Sequence, residues 1–228
     1  MRSHDRAIIL ALILAPLYAG GTIVAAQDHD HDHLHGASGH DQGGNKEHAH
    51  GAQPEMTPEQ AAAMAESMKL AAPSDAHKHL DYFVGNWKTK TRMYMGGPGS
   101  QAMESDGRSE IKWVLDGRFL MDQHTGTMMG QPYLGIGMTG YDSYRNMYTN
   151  SWRSNQGTNT LTMSGMRHPE TGIFTYYGEM DEPSLKVTAR TVKYVARIID
   201  ANHYVFEIID LHAGEDYKVV EIAYERVR

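Results

Sequence analysis

From Asn86 to the C-terminus the chain alternates in polarity with a period of two, and no helix-length segment interrupts the pattern. In "WKTKTRMYM", Trp87, Thr89, Thr91, Met93 and Met95 fall on one side and Lys88, Lys90 and Arg92 on the other. Successive side chains of a strand point to opposite faces, so this is the pattern of a strand with one wet side. "RSEIKWVL" alternates in the same way, Asp116–Gly117 forms a strong two-residue hairpin signal, and "RFLMDQHTG" returns the chain. Further extended segments are expected over 132–141, 145–153, 158–166, 172–180, 186–199, 203–211 and 217–226. The breaks between them, among them "DSYRN", "HPETG", "DANH" and "HAGED", carry turn residues. The total is about ten antiparallel strands. So many sequential strands, without crossover helices, leave exposed edges unless the sheet closes. The expected fold is therefore all-β, an up-and-down antiparallel barrel preceded by one or two short helices. A β-sandwich is the alternative, disfavoured by the hairpin-length connections.

One stretch invites a different reading. "GIGMTG", residues 135–140, has the G-x-G-x-x-G spacing of dinucleotide-binding loops. That motif works only between a strand and a helix, where helix amides meet the pyrophosphate. Here a turn and another strand, "NMYTNSW", follow. The glycines therefore mark a bent strand or a close approach. The alternation groups Leu134, Ile136 and Met138 on one face, and Ile136 and Met138 are expected in the core with Ile111, Trp113 and Tyr224.

Ahead of the barrel, "TPEQAAAMAESMKLAAP" reads as a helix, with Thr57 as N-cap, Pro58 at the first position and Gln60 completing a capping box. Ala61, Met64, Ala65 and Met68 give it one modest apolar stripe, and Pro73 ends it. A short helical turn capped by Ser74 follows, burying Leu80, Phe83 and Val84. Residues 54–79 thus form a helical extension and 80–228 the barrel domain. Residues 27–53 are low-complexity His, Asp, Gly and Ala with little to bury, and are expected to be disordered. Residues 1–26 combine Arg2 and Arg6 with an apolar run and a Val24/Ala26 cleavage pattern, so a signal peptide and a periplasmic or secreted protein are expected. An uncleaved anchor is the alternative; no membrane insertion is expected after cleavage.

Cysteine is absent, which removes disulfides, thiol chemistry and the usual bacterial lipoprotein attachment point. The formal charge is −7, and it becomes −8 when Arg2, Arg6 and Asp5 leave with the signal segment. That disfavours nucleic acid as a partner.

The motifs "FVGNW", "WVLDGRFL", "GYDSYRNMYTNSW" and "VEIAYER", in this order over Leu80–Arg228, resemble the DUF1579 family of unknown function. The family looks like a member of the calycin-type barrels, lipocalin-like proteins that commonly hold small, mostly apolar ligands. The resemblance brings no established activity and no catalytic residues. It does imply that Trp87 of "GNW" plugs one barrel end beneath Arg226, a cation–π pair that closes the structure.

Three further groups carry possible chemistry. His29, His31, His33 and His35 alternate with aspartates, and His40, His48 and His50 follow; neutral imidazoles at such spacing suit divalent metal, Zn, Cu or Ni. A flexible tract of this kind does not select one metal, and a solubilising linker is the plain alternative. The resemblance to calycin-type barrels, which include nitrobindin-like proteins, implies that His124 or His203 could serve as an axial haem ligand, although a hydrogen-bonded or surface histidine is the commoner case and haem is not expected. Arg118, Asp122 and Gln123 follow the hairpin; Leu115 opposite Arg118 on one face would admit Arg118 to the interior, where it could orient a ligand head group. The expected ligand-binding set is Arg118, Trp113, Asp122, Met138 and Tyr224, around a pocket of roughly 300 Å³ or more. No G-x-S-x-G or H-E-x-x-H occurs, so no catalytic residue is nominated. The chain reads as a non-catalytic exported barrel for a small lipophilic molecule, with a His-rich metal-binding tail. A metal-buffering protein that uses the barrel as scaffold, or an enzyme of unknown class, are the alternatives.

Overall fold

The computed structural model describes residues 56–182 and 186–228. The expectations for residues 1–26 and 27–53 lie outside the described residues. Residues 56–65 belong to one compact unit and residues 66–228 to another. Helix α1 is Pro58–Ala71, and the Thr57–Gln60 capping box is present: the Thr57 amide donates to Gln60 Oε1 at 3.0 Å and the Gln60 amide to Thr57 Oγ1 at 3.3 Å. Its stripe is not a buried one, since Met64 and Met68 are both exposed.

The ten strands are β1 Gly85–Met93, β2 Met103–Val114, β3 Phe119–Met128, β4 Gln131–Asp142, β5 Met147–Ser154, β6 Leu161–Arg167, β7 Phe174–Glu182, β8 Val187–Ile198, β9 His203–Asp210 and β10 Lys218–Arg226. Each pairs antiparallel with its sequence neighbour, and β1 pairs with β10, so the sheet closes on itself. Closure removes the free edges that a ten-strand meander would otherwise present. The sandwich alternative is excluded by this order.

A short helix α2, Asp75–Lys78, and a 3-10 turn, Asp81–Phe83, cover one end. Leu80 and Trp87 are fully buried there; the Tyr204 ring meets Trp87 and Phe83 edge to face, and Phe174 meets Phe83 and Tyr148 in the same way. The Trp87 indole donates to Phe83 O at 2.8 Å, which satisfies the one polar atom of the buried ring. Arg226 lies over the indole with its guanidinium carbon 4.0 Å from the ring centroid, and donates from Nη1 to Val84 O at 2.6 Å. Gly85, at φ +133°, leaves the space that this guanidinium occupies, because a Cβ there would come within 2.7 Å of Nη1.

Strand β4 corrects the expected core. Gly135, Gly137, Thr139 and Tyr141 face inward, whereas Leu134 and Ile136 are 53% and 48% exposed and Met138 shares their outward parity. The reason is Trp152 on β5. A Cβ on Gly135 would lie 2.1 Å from Trp152 Cζ2, and one on Gly137 would lie 2.9 Å from Cε3. The indole occupies the volume that the two glycines vacate, so the bulk on this part of the wall comes from the neighbouring strand. Gly140 does the same for the Phe119 ring, 2.5 Å from where its Cβ would stand. The register of β3 against β4 runs without a shift, so these glycines seat rings and do not bend the strand at a bulge. Gly135→Ala is expected to destabilise by about 1–3 kcal/mol through overpacking. Ile136→Ser should change stability by no more than about 0.5 kcal/mol. Urea denaturation of the two variants tests the inward assignment of the glycine face.

Candidate functional site

The inward residues enclose a cavity of about 210 Å³. That falls short of the roughly 300 Å³ expected from the sequence for a small-molecule pocket. It exceeds the ~150 Å³ that suffices for benzene in an engineered apolar cavity. The interior therefore suits a compact molecule.

Its two walls differ in chemistry. On β6 to β10 the lining is apolar and aromatic, led by Met163, Tyr176, Met180, Tyr194, Phe206 and Ile208. On β2 to β5 the inward positions carry polar groups: Ser109, Asp122, His124, Tyr133, Asn150 and Trp152. Strand parity accounts for the polar wall, because Asp122 and His124 are two apart on β3 and Ser109 stands opposite His124 on β2.

Glycines again provide the room. Gly107 and Gly126 are cross-strand partners, and Cβ atoms there would stand 2.9 and 3.3 Å from His124 Nε2. The imidazole fills that gap, with Nδ1 3.0 Å from Ser109 Oγ and the Tyr133 and Trp152 rings beside it. Burial presses the His124 pKa down to about 4, so the ring is neutral at neutral pH. Tyr133 accepts the Trp152 indole N–H at 2.9 Å, and Asn150 Nδ2 donates to Thr139 Oγ1 at 2.6 Å.

Asp122 differs from these neighbours. Its Oδ1 is buried without a hydrogen-bond partner among the described residues, as are Thr89 Oγ1 and Tyr194 OH. Burial raises its carboxyl pKa to about 7, against a smaller opposing effect of the Ser109 hydroxyl. The side chain keeps partial surface, and its inward parity directs that surface to the cavity. A buried polar atom without a partner costs free energy, and the side chain that carries it lines the cavity.

Of the five residues expected to bind ligand, Asp122 and Tyr224 line this cavity, and Arg118, Trp113 and Met138 do not. Arg118 shares the inward parity of Leu120 and Asp122 but lies beyond the last ladder pair, Val114–Phe119. Its Nε donates to Ala71 O at 3.0 Å, and it forms part of the barrel rim. The Trp113 indole donates to Asp81 Oδ1 at 2.9 Å beneath the α2 segment. Met138 faces outward, and Gln123 is exposed. Trp87 and Arg226 meet at the covered end. His203 lies on the outside with Nδ1 2.9 Å from Asp200. The seven histidines of the N-terminal tract lie outside the described residues. Among the described residues, no three His, Asp or Glu side chains gather as a metal site.

The sequence reading missed Ser109, Tyr133, Asn150 and Trp152 as interior groups. The signal that marks them is the glycine set 107, 126, 135 and 137, which becomes a contiguous patch only when the strands are in register.

Comparison with known proteins gives a family and little more. The model of a family described as "Protein of unknown function (DUF1579)" matches residues 72–226. No curated protein matches. Among solved structures, a redesigned β-barrel is 13% identical with a TM-score of 0.35, covering 66% of this chain and 96% of its own. A protein of unknown function from the DUF3598 family of Nostoc punctiforme is 8% identical with a TM-score of 0.21, covering 68% of this chain and 100% of its own.

Proposed function

The chain belongs to the DUF1579 family, which supplies no activity to inherit, and on the site's own geometry we propose that this is a non-catalytic binding protein holding a compact, mostly apolar molecule inside the barrel. The observation that carries the reading is the cavity itself, with one aromatic wall and one wall bearing the Asp122 carboxyl group, whose Oδ1 has no partner among the described residues. A packed core has no use for such an atom, whereas a binding site uses a few polar groups in an apolar surround to orient its ligand. The polar set does not form a nucleophile and base: His124 Nε2 is turned into the glycine seat, and Ser109 faces Nδ1 of a ring whose basicity burial suppresses.

The proposal extends to the rest of the chain. The Arg2/Arg6 n-region and apolar run support export to the periplasm or beyond, and the histidines between residues 27 and 53 support binding of Zn, Cu or Ni by the tail. Native mass spectrometry of the purified protein addresses both parts. An organic adduct that survives desolvation and departs on denaturation is expected on the barrel. Metal adducts are expected on a chain starting near Gln27 and lost from one starting near Pro54. Equal metal loading of the two chains would remove the tail from the proposal; a barrel that neither carries nor takes up any small apolar molecule would remove the ligand.

A further inference from the structure

The proposed binding function leaves the class of ligand open, and the charges inside the barrel narrow it. We propose that the cavity takes a compact aromatic amine, its ring against the β6–β10 wall and its ammonium group toward the Asp122 carboxyl; this rests on the cavity being a binding site.

The argument begins with the carboxylates that point inward. Asp210 is fully buried but matched: Arg190 bonds both its oxygens, Nε to Oδ1 at 3.1 Å and Nη2 to Oδ2 at 2.7 Å. Asp122 has no such partner among the described residues. The groups that face it are Ser109 and Ile111 from β2, His124 from β3, Tyr133 and Gly137 from β4, Tyr204 from β9 and Tyr224 from β10. None of these is a cation when His124 is neutral. Arg153 touches the cavity lining, but it sits on the outward parity of β5 and is exposed. Arg226 is held at the covered end by Trp87 and three backbone carbonyls.

An anionic head group would therefore meet an acid with, among the described residues, no uncommitted basic group to receive it, which argues against a carboxylate or phosphate ligand. A purely apolar ligand would leave the carboxyl as it is. An ammonium group supplies the missing positive charge in a low-dielectric surround, where a charge-assisted hydrogen bond is strongest. The neighbouring tyrosine and tryptophan faces add cation–π attraction. The volume agrees: a benzene ring with a two-carbon arm is within reach of 210 Å³.

Binding would also move a proton. The amine arrives protonated, and Asp122, which holds a proton much of the time below neutral pH, must give it up to form the pair. Calorimetric titration of the purified protein with 2-phenylethylamine, 3-phenylpropionate and ethylbenzene, at pH 6 in buffers of different ionisation enthalpy, tests the assignment. The expected result is amine affinity at least about tenfold above that of the acid, with release of close to one proton. In Asp122→Asn the amine should lose that advantage and the proton release, while ethylbenzene, which reports on an intact cavity, binds as before. Ethylbenzene binding without amine preference, or an amine preference that survives Asp122→Asn, would overturn this inference and leave the binding function standing. Failure of all three probes to bind would overturn both.

Discussion

Trp87→Ala is expected to destabilise the barrel by about 3–5 kcal/mol, the range for deleting a fully buried aromatic side chain. The ring has no exposed surface, and its loss would open a void beside the rings of Tyr82, Tyr204 and Tyr224, which pack against it and cannot all collapse inward because each is held by further aromatic neighbours. Two additional effects work in the same direction. Phe83 O loses its indole donor, and Arg226 loses the face on which it lies. Arg226→Met keeps the indole and removes only the cation and its bonds to carbonyls, so a smaller loss, on the order of 1–3 kcal/mol, is expected. Equilibrium denaturation in urea separates the two variants. A loss below about 1 kcal/mol for Trp87→Ala would mean that the covered end is not closed by this ring.

The second large effect is on pH dependence. Asp122 has a folded pKa of about 7 against an ordinary value of 3.8, so the folded chain keeps a proton that the unfolded chain releases. Its contribution to stability therefore falls as pH rises from about 4 to about 7 and is level beyond. The whole change is of the order of 4 kcal/mol. His124 acts in the opposite sense. Its folded pKa of about 4 lies below 6.5, so the unfolded chain takes up the proton first and the contribution of His124 falls as pH drops through that window. Between pH 4 and 6.5 the two slopes oppose each other, and together they flatten the profile. Asp122→Asn removes one of them. The variant should match the parent near pH 4 and exceed it by up to about 4 kcal/mol at pH 8, since replacing an uncompensated buried charge is often stabilising. Urea denaturation across pH 4 to 8 checks this, and a difference between the two proteins that does not change with pH would show that Asp122 is compensated in the folded state.

The architecture was legible because alternation and turn chemistry are local: the period of two survives in nearly every strand, and the Asp116–Gly117 turn, with positive φ at both residues, is where the sequence puts it. The pairing of Trp87 with Arg226 was implied by the family resemblance alone; parity is compatible with it, since the two residues face each other across the first and last strands. The polar wall was not legible. Period-two reasoning says that two faces differ but not which one is inside, and on β4 the apolar face, Leu134 and Ile136, is the outer one because Trp152 claims the inner volume. Nor does parity say where a barrel ends, and so Arg118, with the right phase, was expected inside although it sits past the last hydrogen-bonded pair and caps the Ala71 carbonyl. Both errors come from interactions between strands, which a single strand's pattern does not contain.

The interior as a ligand site is the claim on which the rest depends, and a crystal exposed to bromobenzene tests it most directly. The account predicts one dominant anomalous bromine peak inside the barrel, with the ring between Trp152 on one wall and Met163 and Tyr176 on the other, all of which line the 210 Å³ cavity. A barrel whose interior shows no bromine at saturating vapour, or whose side chains have closed over that space, would contradict it.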